Sequence, residues 1–250
     1  MRHTIFGTLP FHPNIVYSPV LDSTNDEAKR LGSQGGNIHG LTVLAGHQTA
    51  GRGLMGNPWF GEAGQNLYMS LILDTDLPVE KQFLLNIAVA LSALYAVNER
   101  GAKAKLKWPN DLFSNKQKLG GVLIENVISG NRIKQSIIGL GVNVNQRAFG
   151  ELDSATSLLL LSGNYLEPRE LVPSFTGYLN ACLVKALEEE NALKDEYYDN
   201  LLCYGKETRF RRSGHNFTAT VLGVDDWGRL VLQEEGRKQS YGIKEVEWIW

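Results

Sequence analysis

The chain has 250 residues, 43% hydrophobic and 21% charged, enough length and apolar content to bury a substantial core, which excludes global disorder. Its 25 Lys and Arg against 27 Asp and Glu give a net charge of -2, so no overall field draws it to nucleic acid or to an anionic membrane, and any phosphate binding has to be local. Cys182 and Cys203 form no CxxC pair and lie near no histidine at metal-ligand spacing, and the N-terminal segment lacks the apolar run of a signal peptide; a reduced, cytoplasmic protein without membrane or nucleic-acid partners is expected.

Strand-like runs rich in Val, Ile, Leu and Tyr fall at 14–17, 41–46, 67–73, 104–108, 121–127 and 133–140, enough for one large sheet. A helix is expected at 24–31, opened by Thr-Asn-Asp-Glu, in which Thr24 and Glu27 have capping-box spacing. From 79 to about 100, Phe83, Leu84, Ile87, Leu91, Leu94 and Tyr95 recur at helical spacing, and Gly101 sits where a C-cap glycine belongs. Segments 168–190 and 193–204 read as two more amphipathic helices. Beyond Gly205 the texture changes to short strands at 208–211, 217–224, 229–233 and 238–241, with turns at 225–228 and 235–236. The fold class is therefore α+β: a mixed β-sheet domain with packed helices over 1–204, and a small C-terminal β-barrel over 205–250, too small to be independent and expected to dock on the larger part.

Residues Gly51-Arg52-Gly53-Leu54-Met55-Gly56 satisfy GxGxxG after a strand. The next residues, with Pro58, Gly61 and Gly64, cannot continue as the helix that a dinucleotide-binding turn requires. A flap whose backbone approaches a ligand, with Arg52 as its charge, fits better. Lys107-Trp108-Pro109-Asn110-Asp111 closes one strand and Lys118-Leu119-Gly120-Gly121 opens the next, so a strand pair delivers two lysines to a turn.

These segments, with Ser23-Thr24-Asn25, the run His47 to Gly53 and Gly139-Leu140-Gly141-Val142-Asn143-Val144-Asn145, closely resemble the biotin protein ligase family across about residues 15–145, and the terminal barrel looks like that family's SH3-like domain. The resemblance implies an ATP-dependent biotin-[acetyl-CoA-carboxylase] ligase that makes biotinyl-5'-AMP and passes biotin to a lysine of a biotin carboxyl carrier protein. It implies Arg52 and Lys118 as the catalytic cations, and Ser23, Thr24, Asn25, Gln48, Gly51, Arg52, Gly53, Lys118 and Gly121 around biotin, with Gly120 also letting the backbone approach. ATP is implied to meet Arg52, Trp59, Lys107, Asn110, Lys118 and Asn143, with Trp59 over the adenine and Mg²⁺ carried on the phosphates rather than in a protein cage. The chemistry suits those residue types. Hydroxyl and amide groups answer a ureido ring, and fixed cations are required for one anion to attack another. Asp111 either orients a lysine or ends the strand, and His47 is a structural neighbour of the loop rather than a base.

The sequence departs from the family pattern where many bacterial members carry GRGRRGR: Leu54, Met55 and Asn57 stand at basic positions, and apolar packing by Leu54 and Met55 is expected to close the flap instead. Only 22 residues precede Ser23, too few for a helix-turn-helix, so direct DNA binding is not expected. A sheet edge leaves room for a weak homodimer. The competing readings are a lipoate-type ligase, whose RRxxGGGxVYHD-like segment is missing, and a non-catalytic biotin-binding protein, against which Arg52, Lys107 and Lys118 speak.

Overall fold

The computed structural model describes residues 2–36, 38–150 and 154–249. A short hairpin, β1 (Arg2–Thr4) with β2 (Gly7–Leu9), precedes the main sheet. That sheet holds β3 (Asn14–Leu21), β4 (Leu41–Gln48), β5 (Asn66–Pro78), β6 (Lys105–Lys107), β7 (Asp111–Ser114), β8 (Gln117–Ser129) and β9 (Arg132–Asn143) in the order β3-β4-β5-β9-β8-β7-β6. β3 and β4 run parallel and the other neighbours antiparallel, which makes the sheet mixed. A parallel pair needs a crossover, and α1 (Thr24–Gly32) supplies it.

β5 is buried along most of its length because both faces of the sheet are covered. Ala28 of α1 packs with Leu41, Val43, Ile72 and Ile137 on one face. On the other lies α2 (Gln82–Asn98), backed by α4 (Leu171–Glu188) and α5 (Glu190–Asn200). The apolar stretch Val79–Asn98 is long enough to cross a membrane by length and composition, but most of it is buried as the core helix of this domain. A short α3 (Leu158–Ser162) starts at Ser157, whose side chain accepts from Leu160 N.

The C-terminal region is a five-stranded antiparallel sheet, β10 (Glu207–Arg212), β11 (His215–Val224), β12 (Leu230–Glu234), β13 (Arg237–Tyr241) and β14 (Glu247–Ile249), in the order β13-β12-β11-β10-β14. Its buried Phe210, Val221, Leu230 and Leu232 belong to the same apolar cluster as Leu85 and Leu91 of α2. Tyr198 Oη donates to Val224 O at 2.9 Å, tying this sheet to α5.

Several elements differ from the sequence-based expectation. The Thr24–Glu27 capping box does not form: Ser23 is the N-cap, no side chain caps the helix, Thr24 Oγ1 turns to Gln48 and Ser70, and Glu27 pairs with Arg30. α5 begins before 193 and stops at Asn200, because Leu201 forms a parallel bridge to Leu106 and Leu202 N bonds Leu106 O at 2.7 Å. The hairpin β1–β2, the short β7 and β14, and α3 carry too few residues for a periodicity to be read from sequence.

Candidate active site

A cavity of about 370 Å³ opens over β8 and β9, between the N-terminus of α1, the loop after β4 and the β13–β14 connection. Of the residues singled out in the sequence, Ser23, Thr24, Asn25, Gln48, Arg52, Gly53, Trp59, Lys107, Asn110, Lys118 and Gly121 line it. Gly51, Gly120 and Asn143 do not. A Cβ on Gly51 would stand 2.5 Å from Trp59 O, so that glycine lets the loop close on itself. A Cβ on Gly120 would meet Gly141 O at 2.7 Å and Leu112 Cδ1 at 3.2 Å, which makes its role strand packing; Gly121, the next residue along the strand, borders the cavity instead. Asn143 is buried and donates to Thr156 O at 3.0 Å, while Thr156 N bonds Lys118 O at 2.9 Å. Asn143 thus braces the segment that clamps the Lys118 backbone.

At the deep end, Gln48 Oε1 accepts from Thr24 N at 2.7 Å and from Thr24 Oγ1 at 3.1 Å. Ser70 Oγ stands 2.8 Å from Thr24 Oγ1 and 2.5 Å from Asn25 Oδ1. These bonds fix the side chains. They leave the Ser23 hydroxyl and the Gln48 amide N–H without a side-chain partner among the described residues, as donors and acceptors for a ligand. Gly139 is required here, since a Cβ there would lie 2.4 Å from Asn25 Oδ1.

The glycine loop forms a small hairpin: Gly53 N bonds Asn57 O at 2.7 Å, Trp59 N bonds Gly51 O at 2.8 Å, and Arg52 bridges to Pro58. At its tip Met55 adopts φ 58 and is 60% exposed, whereas Leu54 is half-buried, and both border the cavity. Arg52 Nη2 donates to Asp26 Oδ1 at 2.6 Å and to Glu125 Oε2 at 3.1 Å. Burial alone would raise the Glu125 carboxyl, but hydrogen bonds from Lys29 and Asn25 and the charge of Arg52 outweigh it and hold it below its ordinary value.

Across the cavity, Lys118 Nζ pairs with Asp111 Oδ1 at 2.6 Å, and it lies 5.3 Å from the Trp59 ring centre. Asp111 therefore orients a lysine as well as opening a strand. The Lys107 ammonium sits 4.3 Å from the Phe113 ring centre; burial pulls its pKa down, Asp111 opposes this and Lys118 adds to it. Asn110 Nδ2 donates to Val122 O, and Val122 N returns a bond to Asn110 O at 2.9 Å. The Trp59 indole lies on β9, where a Cβ on Gly141 would be 2.7 Å from Cε2, and its Nε1 is buried without a partner among the described residues. His47 Nδ1 is likewise buried and unpartnered among them, and His47 does not line the cavity.

Sequence reasoning missed the wall formed by Ile243, Lys244, Val246, Glu247 and Trp248. Nothing in that segment marks it as a lining, because only docking of the C-terminal sheet carries it there. One signal lay in Trp108, whose Nε1 donates to Gly228 O at 2.8 Å and joins the lysine-bearing turn to the C-terminal region. No group of three or more His, Cys, Asp or Glu among the described residues could hold a metal ion.

A sequence model of the Biotin/lipoate A/B protein ligase family matches residues 17–143, which carry β4, the glycine loop and both lysine-bearing strands. The chain belongs to this family. Among curated relatives, it is 32% identical to the bifunctional ligase/repressor BirA of Bacillus spizizenii over 239 residues, 91% of this chain and 72% of that protein. It is 31% identical to the biotin--[acetyl-CoA-carboxylase] ligase of Mycobacterium tuberculosis, over 86% of this chain and 81% of that one. In fold it is similar to the biotin protein ligase from Aquifex aeolicus in complex with biotin and ATP, with a TM-score of 0.76 and 26% identity over 94% of this chain and 99% of the other. The biotin/lipoate family membership covers the whole floor of the cavity, whereas the C-terminal wall lies outside the matched residues.

Proposed function

We propose that this family member is a biotin protein ligase, joining biotin to ATP as biotinyl-5'-AMP and then transferring the biotinyl group to a lysine of a biotin carboxyl carrier protein. The observation that carries this reading is that the polar set Ser23, Thr24 and Gln48 and the cations Arg52, Lys107 and Lys118 border one cavity.

In the first half-reaction a carboxylate oxygen of biotin attacks the α-phosphorus of ATP, the bond to the β-phosphate oxygen breaks, and pyrophosphate leaves. Both reactants are anions, so the barrier falls only where positive charge is already fixed. Arg52 and Lys118 supply it, each held in place by a carboxylate partner, Arg52 by Asp26 and Glu125 and Lys118 by Asp111. The Ser23 hydroxyl and the Gln48 amide hold the ureido end, where an unpaired buried partner costs about 1 to 3 kcal/mol and so gives selectivity. Lys107 and Asn110 face the phosphates and Trp59 covers the adenine. Asp111 and Glu247 are the carboxylates of the cavity, a donor set that suits Mg²⁺ arriving on the triphosphate rather than a resident ion. In the second half-reaction the neutral amine of the acceptor lysine attacks the acyl carbon, the bond to the phosphate oxygen breaks, AMP leaves, and the new amide nitrogen sheds a proton. No covalent enzyme intermediate is required.

The C-terminal sheet is read as an SH3-like domain beginning near residue 205, and the protein as a cytoplasmic one, in keeping with its acceptor. Incubating the purified chain with labelled biotin and a carboxyl-carrier domain, with and without ATP, tests the proposal. Label should reach the carrier only with ATP, and excess lipoate should not compete. No transfer, or a preference for lipoate, overturns it.

A further inference from the structure

One carboxylate outside the cavity touches both halves of the site. Glu125, on β8, accepts from Asn25 Nδ2 at 2.7 Å and from Arg52 Nη2 at 3.1 Å on one oxygen, and from Lys29 Nζ at 2.6 Å on the other. Asn25 and Arg52 line the cavity, whereas Glu125 does not. Its side chain is only 23% exposed, against 42% for Asp26, the other anchor of Arg52. Through Asn25, Ser70 and Thr24 the same chain of hydrogen bonds reaches Gln48.

Arg52 sits in a hairpin whose flanking residues are Gly51 and Gly53, so its own backbone supplies little to aim the side chain. Both anchoring bonds use Nη2, which leaves Nε and Nη1 with no protein partner among the described residues. That division suits a guanidinium gripped from behind while its remaining donors meet an anion in the cavity.

We propose that Glu125 is a positioning residue for adenylate formation, aiming Arg52 from behind. This rests on the ligase reading above. Glu125 touches neither substrate. Its effect passes through Arg52, because it is the less exposed of the two groups that hold the loop's only cation. Removing its charge leaves Arg52 on the exposed Asp26 alone, and a cation that samples several positions is a poorer match to the transition state than a fixed one.

Two measurements on the full-length chain test this. In the first, without substrates, tryptic cleavage at Arg52–Gly53 is followed by mass spectrometry in the native protein, in Glu125→Gln and in Glu125→Asp. Glu125→Gln should cut about fivefold faster or more at a melting temperature within about 2 °C of native, and Glu125→Asp, which keeps the charge, should lie between the two. In the second, the rate of biotinyl-adenylate formation is measured in a double-mutant cycle with Arg52→Ala. Glu125→Gln alone should lower the rate about tenfold with the KM for biotin moved less than about threefold, and in the Arg52→Ala background it should have no further effect. Equal losses in both backgrounds, or unchanged tryptic cleavage, overturn the assignment. A native chain that forms no adenylate defeats the ligase reading instead, and the tryptic comparison then decides the anchoring role by itself.

Discussion

Replacing Lys118 by alanine probes the electrostatic requirement of the first half-reaction. Lys118 Nζ lies 2.6 Å from Asp111 Oδ1, so the change removes one fixed positive charge and also uncovers a carboxylate in the cavity that has to receive two anions. Loss of one preorganised donor costs about 100- to 1000-fold in the chemical step. Two unit negative charges about 6 Å apart repel by about 3 kcal/mol at an effective dielectric of about 20. The Lys118 side chain is 36% exposed, so water reaches the pair and cuts this to about 1 kcal/mol, roughly fivefold in rate. Lys118→Ala should therefore lower biotin-dependent exchange of labelled pyrophosphate into ATP by about 500-fold or more, with the fold retained by circular dichroism. Adding Asp111→Asn to that variant should return about fivefold. Exchange within about threefold of native in Lys118→Ala, or a further loss on adding Asp111→Asn, refutes the reasoning.

Three further outcomes are expected. Gly141→Ala puts a Cβ 2.7 Å from Trp59 Cε2, so the indole has to move off β9; the variant should keep its melting temperature within a few degrees, raise the KM for ATP several-fold and shift tryptophan emission, whereas unchanged nucleotide kinetics would show that Trp59 does not cover the adenine. Leu54→Ala trims the half-buried apolar residue of the flap and should speed loss of bound biotinyl-adenylate about two- to fivefold in a chase experiment; an unchanged off-rate and biotin affinity would remove Leu54 from the closure. Lys107→Met should weaken ATP binding. Burial lowers the Lys107 pKa below its unfolded value, so the native state gains stability as pH rises through the window between that lowered value and 10.5. The methionine variant should lose this rise in thermal scans from pH 7 to pH 10 and be the more stable protein at pH 7; an identical pH profile of melting temperature contradicts the desolvation of Lys107.

The physical theme of the site is that Arg52 and Lys118 are already paired with carboxylates. Arg52, Lys118 and Lys29 each hold a carboxylate within 3.1 Å. Such pairs hold long side chains in one orientation, and incoming anions find donors that need no reorganisation. Lys107, half-buried and with its charge opposed by desolvation, lines the same cavity.

Much of this was legible in the sequence for local reasons. The strand runs, α2 with its apolar periodicity, the glycine loop that refuses to be a helix, and the five short motifs that meet in the cavity are all written in consecutive residues, where backbone preference and side-chain spacing act over a few positions. Tertiary structure alone decided the rest. It set Thr24 on Gln48 rather than on Glu27, buried Asn143 against Thr156 O, gave Gly120 to strand packing and Gly121 to the cavity rim, and brought Glu125 of β8 to Arg52 across 73 positions of chain. It also placed the C-terminal wall from 243 to 248 over a floor laid down by residue 141. Capping spacing, glycine patterns and charge counts describe what a residue offers to its neighbours in sequence; which of several satisfiable partners it takes is fixed by sheet register and by docking of the C-terminal sheet, which depend on contacts summed over the whole chain.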